Sequence, residues 1–255
     1  MKYLISLNSD SGLVLKKNQD CCLALTGQYG GEEIAFAVVC DGMGGLSHGE
    51  VASEVTVDAF KRWITSFLSI DASDVKWEEI RSQWRNLIIS LNQKIGEYGA
   101  ENAAKLGTTL TAALFVENKY LAVNVGDTRL YKITDKIKRI TRDHTLVEFK
   151  VRQGSLTAEE ARVSPEKNIL LQCIGASEEV FPDFHIGDVN EEEVYFLCSD
   201  GFRNKLIEDE LFDNLSPKKL VDKQKMNEAS EFLINLNKSR NERDNISIVI
   251  VKSVR

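Results

Sequence analysis

Two long stretches near the middle of the chain carry apolar residues at steps of three and four. In the first, Val51, Ala52, Val55, Ala59, Phe60, Trp63, Ile64 and Phe67 fall on one side of a helix. After a break at Asp71-Ala-Ser-Asp74, a longer helix repeats the pattern with Trp77, Ile80, Trp84, Leu87, Ile88, Leu91, Ile95 and Tyr98, and ends before Gly107. A helix with a single apolar face must lay that face against something. The flanking segments supply a flat partner. Tyr3–Leu7, Cys21–Leu25 and Ile34–Cys40 precede the helices as short apolar or alternating runs. Thr109–Glu117, Tyr120–Gly126, Arg129–Thr134 and Lys138–Thr141 follow them as four strands with tight turns such as Glu117-Asn-Lys119, which predicts an antiparallel meander. Residues 143–180 are less regular, with helical pieces at Leu146–Gln153 and Thr157–Val163. Strands return at Asp183–Val189 and Glu193–Cys198, and Ile246–Lys252 closes the chain as another. Ser216-Pro217 reads as an N-cap with proline at the first helical position, opening a helix to about Asn237. This order predicts an α+β fold of two packed sheets with helices outside.

Composition narrows the function classes. Of the 255 residues 43% are hydrophobic, enough to fill a core, and with 3 prolines and no linker-like stretch the expectation is a single domain over 1–255. No apolar run approaches the roughly 20 residues that cross a bilayer, so no membrane insertion is expected. The opening MKYLISLNSDSG has a single lysine and too short an apolar segment for a secretory signal. The 5 cysteines form no CxxC pair, and adjacent Cys21 and Cys22 are badly placed to bridge each other, which points to a reducing, cytoplasmic location. A net charge of −7 argues against nucleic acid as a partner.

The chemistry is carried by carboxylates at strand ends. Asp41 in AVVCDGMGG, Asp127 in LAVNVGDTR, Asp200 in YFLCSDGF and Asp244 in RDNISIVIV each stand where an apolar strand meets a small or turn residue, and Asp20 in KKNQDCC precedes another strand. Any one of them alone is a common turn; five in this context are not well explained that way. Carboxylates converging at one sheet edge repel, and a divalent cation relieves the repulsion. With oxygen donors only, the site would prefer magnesium or manganese; His48, His144 and His185 have no zinc-ligand spacing. Gly42 and Gly201 let the backbone come close enough for a carbonyl to join the coordination.

The set NQD (18–20), DGMGG (41–45), GEVAS (49–53), GTT (107–109), VGDTR (125–129), TRDH (141–144), SDGF (199–202) and DNISIV (244–249), spread over about residues 8 to 252, closely resembles the bacterial type-2C metal-dependent serine/threonine phosphatases of the PPM family. The resemblance implies a four-layer αββα sandwich of two central antiparallel sheets flanked by helix pairs. It implies hydrolysis of phosphoserine and phosphothreonine in proteins by a water activated at a dinuclear manganese or magnesium site. Asp41 would bridge the two ions, with the Gly42 carbonyl on one and Asp200 and Asp244 on the other. Asp20 would orient metal-bound water, and Asp127 would share a third, weaker ion with Asp200. His144 is the candidate to protonate the leaving group, whereas Cys40 and Cys198 would be bystanders. Residues 143–175 resemble the family's flap. The implied partners are phosphorylated proteins, among them a serine/threonine kinase and its substrates, and the implied state is a monomer.

One departure stands out. Family members place an arginine five residues before the first aspartate to grip the phosphate; here that residue is Leu15, beside Lys16 and Lys17 as candidate phosphate-binding residues. Lysine cannot make the bidentate fork. The departure leaves room for a weakly active member that serves as a regulatory or binding module, and the fold could also host a phosphatase of small phosphorylated metabolites.

Overall fold

The computed structural model describes residues 1–15, 17–44, 48–70 and 75–255. Two antiparallel sheets form its centre. One has the strand order β1 (Lys2–Asp10), β11 (Ile246–Val254), β10 (Val194–Cys198), β7 (Arg129–Ile133), β8 (Ile137–Arg139). The other runs β2 (Asp20–Tyr29), β3 (Glu32–Gly44), β5 (Leu110–Val116), β6 (Lys119–Val125), β9 (Asp183–Asp188), with the short β4 (Leu106–Thr108) on the far end of β3. The helices are α1 (Gly49–Leu68), α2 (Trp77–Glu101), α3 (Leu146–Arg152), α4 (Ala158–Val163), α5 (Asp200–Arg203), α6 (Glu208–Leu215) and α7 (Lys223–Ser239).

Three apolar clusters show how the layers stack. Along β3, Ile34, Phe36, Val38 and Cys40 pack with α1 and α2, while Ala35, Ala37 and Val39 pack against the other sheet. Both faces of β3 are therefore buried, which is why its sequence is an unbroken apolar run rather than an alternation. The alanines between the sheets, joined by Ala113 and Ala122, leave little side-chain bulk to hold them apart. Phe36, Phe60, Trp63 and Trp84 form the aromatic centre of the outer helical layer, with Trp63 and Trp84 edge to face at 5.2 Å. Trp84 is fully buried, and truncating it to alanine would cost about 3–5 kcal/mol. On the other outer face, Phe196, Ile248 and Ile250 meet Leu211, Leu215, Met226 and Leu233 of α6 and α7. The expected αββα layering is what these clusters build.

Three expectations need correction. The four central strands are not one meander: β5 and β6 belong to one sheet, β7 and β8 to the other, and the chain crosses between sheets at Gly126-Asp127-Thr128. Turn signals show where a strand ends but not which sheet receives the next one. Strand β3 does not stop at Asp41 but continues to Gly44, where Gly42, Met43 and Gly44 pair with β4. Ser216 does not open a helix; it is the C-cap of α6, and α7 starts at Lys223 behind Asp222, whose carboxylate accepts from the Lys225 N–H at 2.8 Å. Proline is as well placed just after a helix as at its start, and here the former holds. Helices α5 and α6 were not foreseen. The break at Asp71–Asp74 lies outside the described residues.

Candidate active site

Asp20 and Asp41 sit directly opposite each other in the β2–β3 ladder. The Asp41 backbone is fixed on its other side by the GTT motif. Its N–H donates to Thr109 Oγ1 at 3.0 Å, and its carbonyl accepts from the Thr109 N–H at 2.9 Å and from Thr108 Oγ1 at 3.0 Å. The Gly42 N–H donates to the Gln19 carbonyl at 3.1 Å, and a Cβ on Gly42 would lie 2.2 Å from the Gly49 carbonyl oxygen. Only glycine lets the first turn of α1 dock there. Gln19 is held in turn by the Asn245 Oδ1, which accepts its N–H at 2.8 Å. From the other sheet, Asp200 follows β10 and Asp244 precedes β11, two neighbouring strands. A Cβ on Gly201 would lie 2.1 Å from the Asn245 carbonyl oxygen, so the two loops are pressed together. Each sheet thus brings two of the four carboxylates, and the site straddles the gap at one end of the sandwich.

The electrostatics follow from burial without partners. Desolvation, then the charges of Asp20, Asp200, Asp127 and Asp244, hold the Asp41 carboxyl well above the ordinary carboxylate range. Burial pushes Asp20 up to about 7; the Ser247 and Ser199 hydroxyls offset part of this, and Asp200 and Asp244 add to it. Asp244 is raised by burial and then by Asp200. Both carboxylate oxygens of Asp20 and one of Asp200 are buried with no well-formed hydrogen bond. Orphaned buried oxygens on mutually repelling acids are what a divalent cation would satisfy. Among the described residues no three Asp, Glu, His or Cys side chains come together closely enough to hold a metal ion by themselves. The ring is open, and the donors that fit a hard cation here are Asp41, Asp200, Asp244 and the Gly42 carbonyl, with water filling the rest.

Asp127 has a different environment. Burial, then Asp200, push its carboxyl up to about 7, and Arg203 pulls the other way. Arg203 Nη2 lies 3.2 Å from Asp127 Oδ2 and 3.1 Å from the Asp127 carbonyl oxygen. Behind it, Asp143 receives a bidentate bond from Arg129, Nε to Oδ1 at 2.8 Å and Nη2 to Oδ2 at 2.6 Å. Burial alone would raise the Asp143 carboxyl, but Arg129 and Arg203 hold it below its usual range. Arg129, Asp143 and Arg203 were not singled out from the sequence. The first two lie inside quoted motifs and Arg203 directly follows one, so nearness to a motif was the available signal.

The remaining candidates are placed elsewhere. His144 Nδ1 accepts the Gly126 N–H at 3.2 Å and lies 2.7 Å from Gln172 Nε2, while its Nε2 is 3.3 Å from Asp183 Oδ2. Both ring nitrogens are thus engaged in holding 172 and 183 against the sheet crossover. Lys17 Nζ is paired with Glu50 Oε1 at 2.8 Å. Lys16 lies outside the described residues. Leu15 is 38% exposed. Cys40 and Cys198 are buried in their strands, and burial pushes the Cys198 thiol up to about 12, which removes it as a nucleophile at neutral pH. Beside Gly42, a groove of about 960 Å³ runs between Met43 and the segment carrying Leu170, Leu171, Glu178, Glu179 and Phe181.

Comparisons with known proteins identify the family. A model of the protein phosphatase 2C family matches residues 15–238. The serine/threonine phosphatase stp of Listeria monocytogenes is 34% identical over 225 residues, 85% of this chain and 84% of its own length. The Streptococcus agalactiae serine/threonine phosphatase structure superimposes with a TM-score of 0.85 at 30% identity, covering 98% of this chain and 99% of its own. The catalytic domain of the serine/threonine protein phosphatase PstP, solved with 2 manganese ions, gives a TM-score of 0.79 at 26% identity, with 99% of each chain covered. The chain belongs to the protein phosphatase 2C family.

Proposed function

We propose that the chain hydrolyses phosphoserine and phosphothreonine in proteins at a dinuclear manganese or magnesium site. Family membership makes it a serine/threonine protein phosphatase. The observation that carries the finer proposal is the cluster of Asp20, Asp41, Asp200 and Asp244: burial and neighbouring carboxylates raise the carboxyls of Asp20, Asp41 and Asp244, and oxygens of Asp20 and Asp200 are left orphaned. The two manganese ions of the PstP structure support it. Asp41 would bridge the ions, the Gly42 carbonyl would join one, and Asp200 and Asp244 would hold the other. Bound ions supply Lewis acidity, bringing the pKa of water toward neutrality and offsetting charge on the transferring phosphoryl group. Asp20, opposite Asp41 in the ladder, is placed to accept a proton from attacking water and to orient it. The threonines of the GTT motif keep Asp41 still while the phosphorus is attacked in line. His144, with both nitrogens in use, positions the segment around Gln172 rather than delivering a proton. The groove beside Met43 would seat the polypeptide carrying the phosphate, its Leu171 and Phe181 meeting apolar residues and Glu178 and Glu179 meeting basic ones. A kinase and its targets would be the partners, in the cytoplasm; among the described residues no helix is long and apolar enough to cross a membrane.

The deciding experiment measures release of phosphate from a phosphothreonine peptide and from p-nitrophenyl phosphate with manganese, magnesium or EDTA. Manganese-dependent turnover that disappears in Asp41→Asn is expected. No turnover above that of the variant would sink the proposal, and hydrolysis of the small ester without any phosphopeptide would redirect it to metabolites. Lys17 is paired with Glu50, and as a lysine it cannot make a bidentate fork to phosphate. Leu15→Arg should lower KM by about tenfold, the worth of one charge-assisted fork.

A further inference from the structure

The family resemblance leads to the expectation of a third divalent ion between Asp127 and Asp200. The residues around Asp127 do not fit it. The Asp127–Arg203 pair, 3.2 Å apart, is buried on both sides, with side chains 12% and 15% exposed. Arg203 is the last residue of the short helix α5 that Asp200 begins. Its guanidinium therefore lies among Asp127, Asp143 and Asp200. Burial and neighbouring Arg129 oppose its charge, and the three carboxylates outweigh them. An arginine in a protein does not give up its proton, so this positive charge is permanent. A divalent ion on Asp127 would have to displace the guanidinium and leave two buried cations side by side. The guanidinium has nowhere better to go, since Asp143 is already engaged in the bidentate bond with Arg129.

We infer that Arg203 is a tethered counter-cation standing where a third ion would bind. This chain then takes divalent ions only at the ring of Asp20, Asp41, Asp200 and Asp244. Asp127 then serves as the partner of the Arg203 guanidinium and not as a ligand of an ion. This rests on the dinuclear reading above.

Titration of the whole protein with manganese, following the electron paramagnetic resonance of the free aqueous ion, separates the two ideas. If Asp41→Asn leaves binding intact, the dinuclear reading itself fails. For the inference, the isotherm of Asp127→Asn should superimpose on that of the native protein within about twofold in every step. Loss of a weaker step in Asp127→Asn would overturn it. Arg203→Met, of similar length and without charge, should gain a weaker step that the double variant Arg203→Met/Asp127→Asn lacks. A folded Arg203→Met that gains no such step also overturns the inference. Should that variant fail to fold, the Asp127→Asn comparison decides alone.

Discussion

The two ends of strand β10 bury carboxylates in opposite ways. At its start Glu193 is 5% exposed, and every demand it makes is met: Lys132 Nζ at 2.7 Å, the Asn190 N–H at 2.9 Å and the Tyr195 hydroxyl at 2.8 Å. Burial would raise its carboxyl, but Asn190, Lys132 and Tyr195 bring it below the ordinary value. Just beyond the other end stand Asp200 and its neighbours Asp20 and Asp41: the carboxyls of Asp20 and Asp41 are raised, and oxygens of Asp20 and Asp200 are orphaned. The same sheet pair thus has one end that is electrostatically closed and one that is complete only with something added. A fold able to satisfy a buried acid with its own residues has not done so at the other end, and the incomplete end is where the proposed chemistry lies.

The largest effect is expected from Asp41. Asp41→Asn is expected to lower phosphatase activity at least about a thousandfold, or ~4 kcal/mol of transition-state stabilisation. The same variant should be more stable than the native protein in EDTA, by about 2–4 °C in Tm for each kcal/mol of repulsion removed. Scanning calorimetry in EDTA would show this, and a lower Tm would mean the ring is not self-repelling. Next in size is the pH response of the metal-free protein. Asp20, raised to about 7, keeps a proton in the folded state that the unfolded chain releases near ~4, so stability falls as pH rises through that window and stays low above it. Melting curves in EDTA should therefore decline from about pH 4 to pH 7 and flatten when manganese is added. Glu193 and Asp143, lowered by their partners, contribute in the other direction: their stabilisation is present at neutral pH and lost as pH falls below the carboxylate range.

Glu193→Gln tests the closed end. It leaves Lys132 facing an amide and should cost about 1–3 kcal/mol in urea unfolding while kcat stays within about twofold. A larger loss of activity than of stability would mean the far end is not merely structural. The smallest effect is expected from Lys17→Ala, which parts an exposed pair. Tm should not move measurably, and KM for a phosphopeptide should stay within about twofold.

The elements were legible where period and burial agree. The faces of α1 and α2, and β3 with its double-sided burial, follow from local pattern alone. The carboxylates were legible too, because strand-Asp-Gly is a local signature and its repetition was visible. What stayed hidden depends on which strand lies beside which. Nothing in VGDTR says that the chain leaves one sheet for the other there. Arg203 carries no mark that it will meet an aspartate 76 positions earlier. Lys17 looked available for phosphate until the first turn of α1 brought Glu50 alongside. Ser216-Pro217 has two valid readings, and only the packing of Leu215 against α7 chooses between them.

That β3 runs on through Asp41 to Gly44 bears on how the site is filled and emptied. A ligand at the tip of a loop is organised by its metal, as in small domains that unfold when the ion is stripped. Asp41 is instead the last rung of the β2–β3 ladder, within a strand that runs on to Gly44, and its N–H is held on the other side by Thr109. Stripping the ions would leave the socket standing, at the cost of repulsion but not of shape. Amide exchange at Asp41 should stay slow in EDTA. Reloading is then limited by shedding water from the incoming ion, not by chain folding, so the enzyme can follow the supply of its metal on a timescale far shorter than its own synthesis.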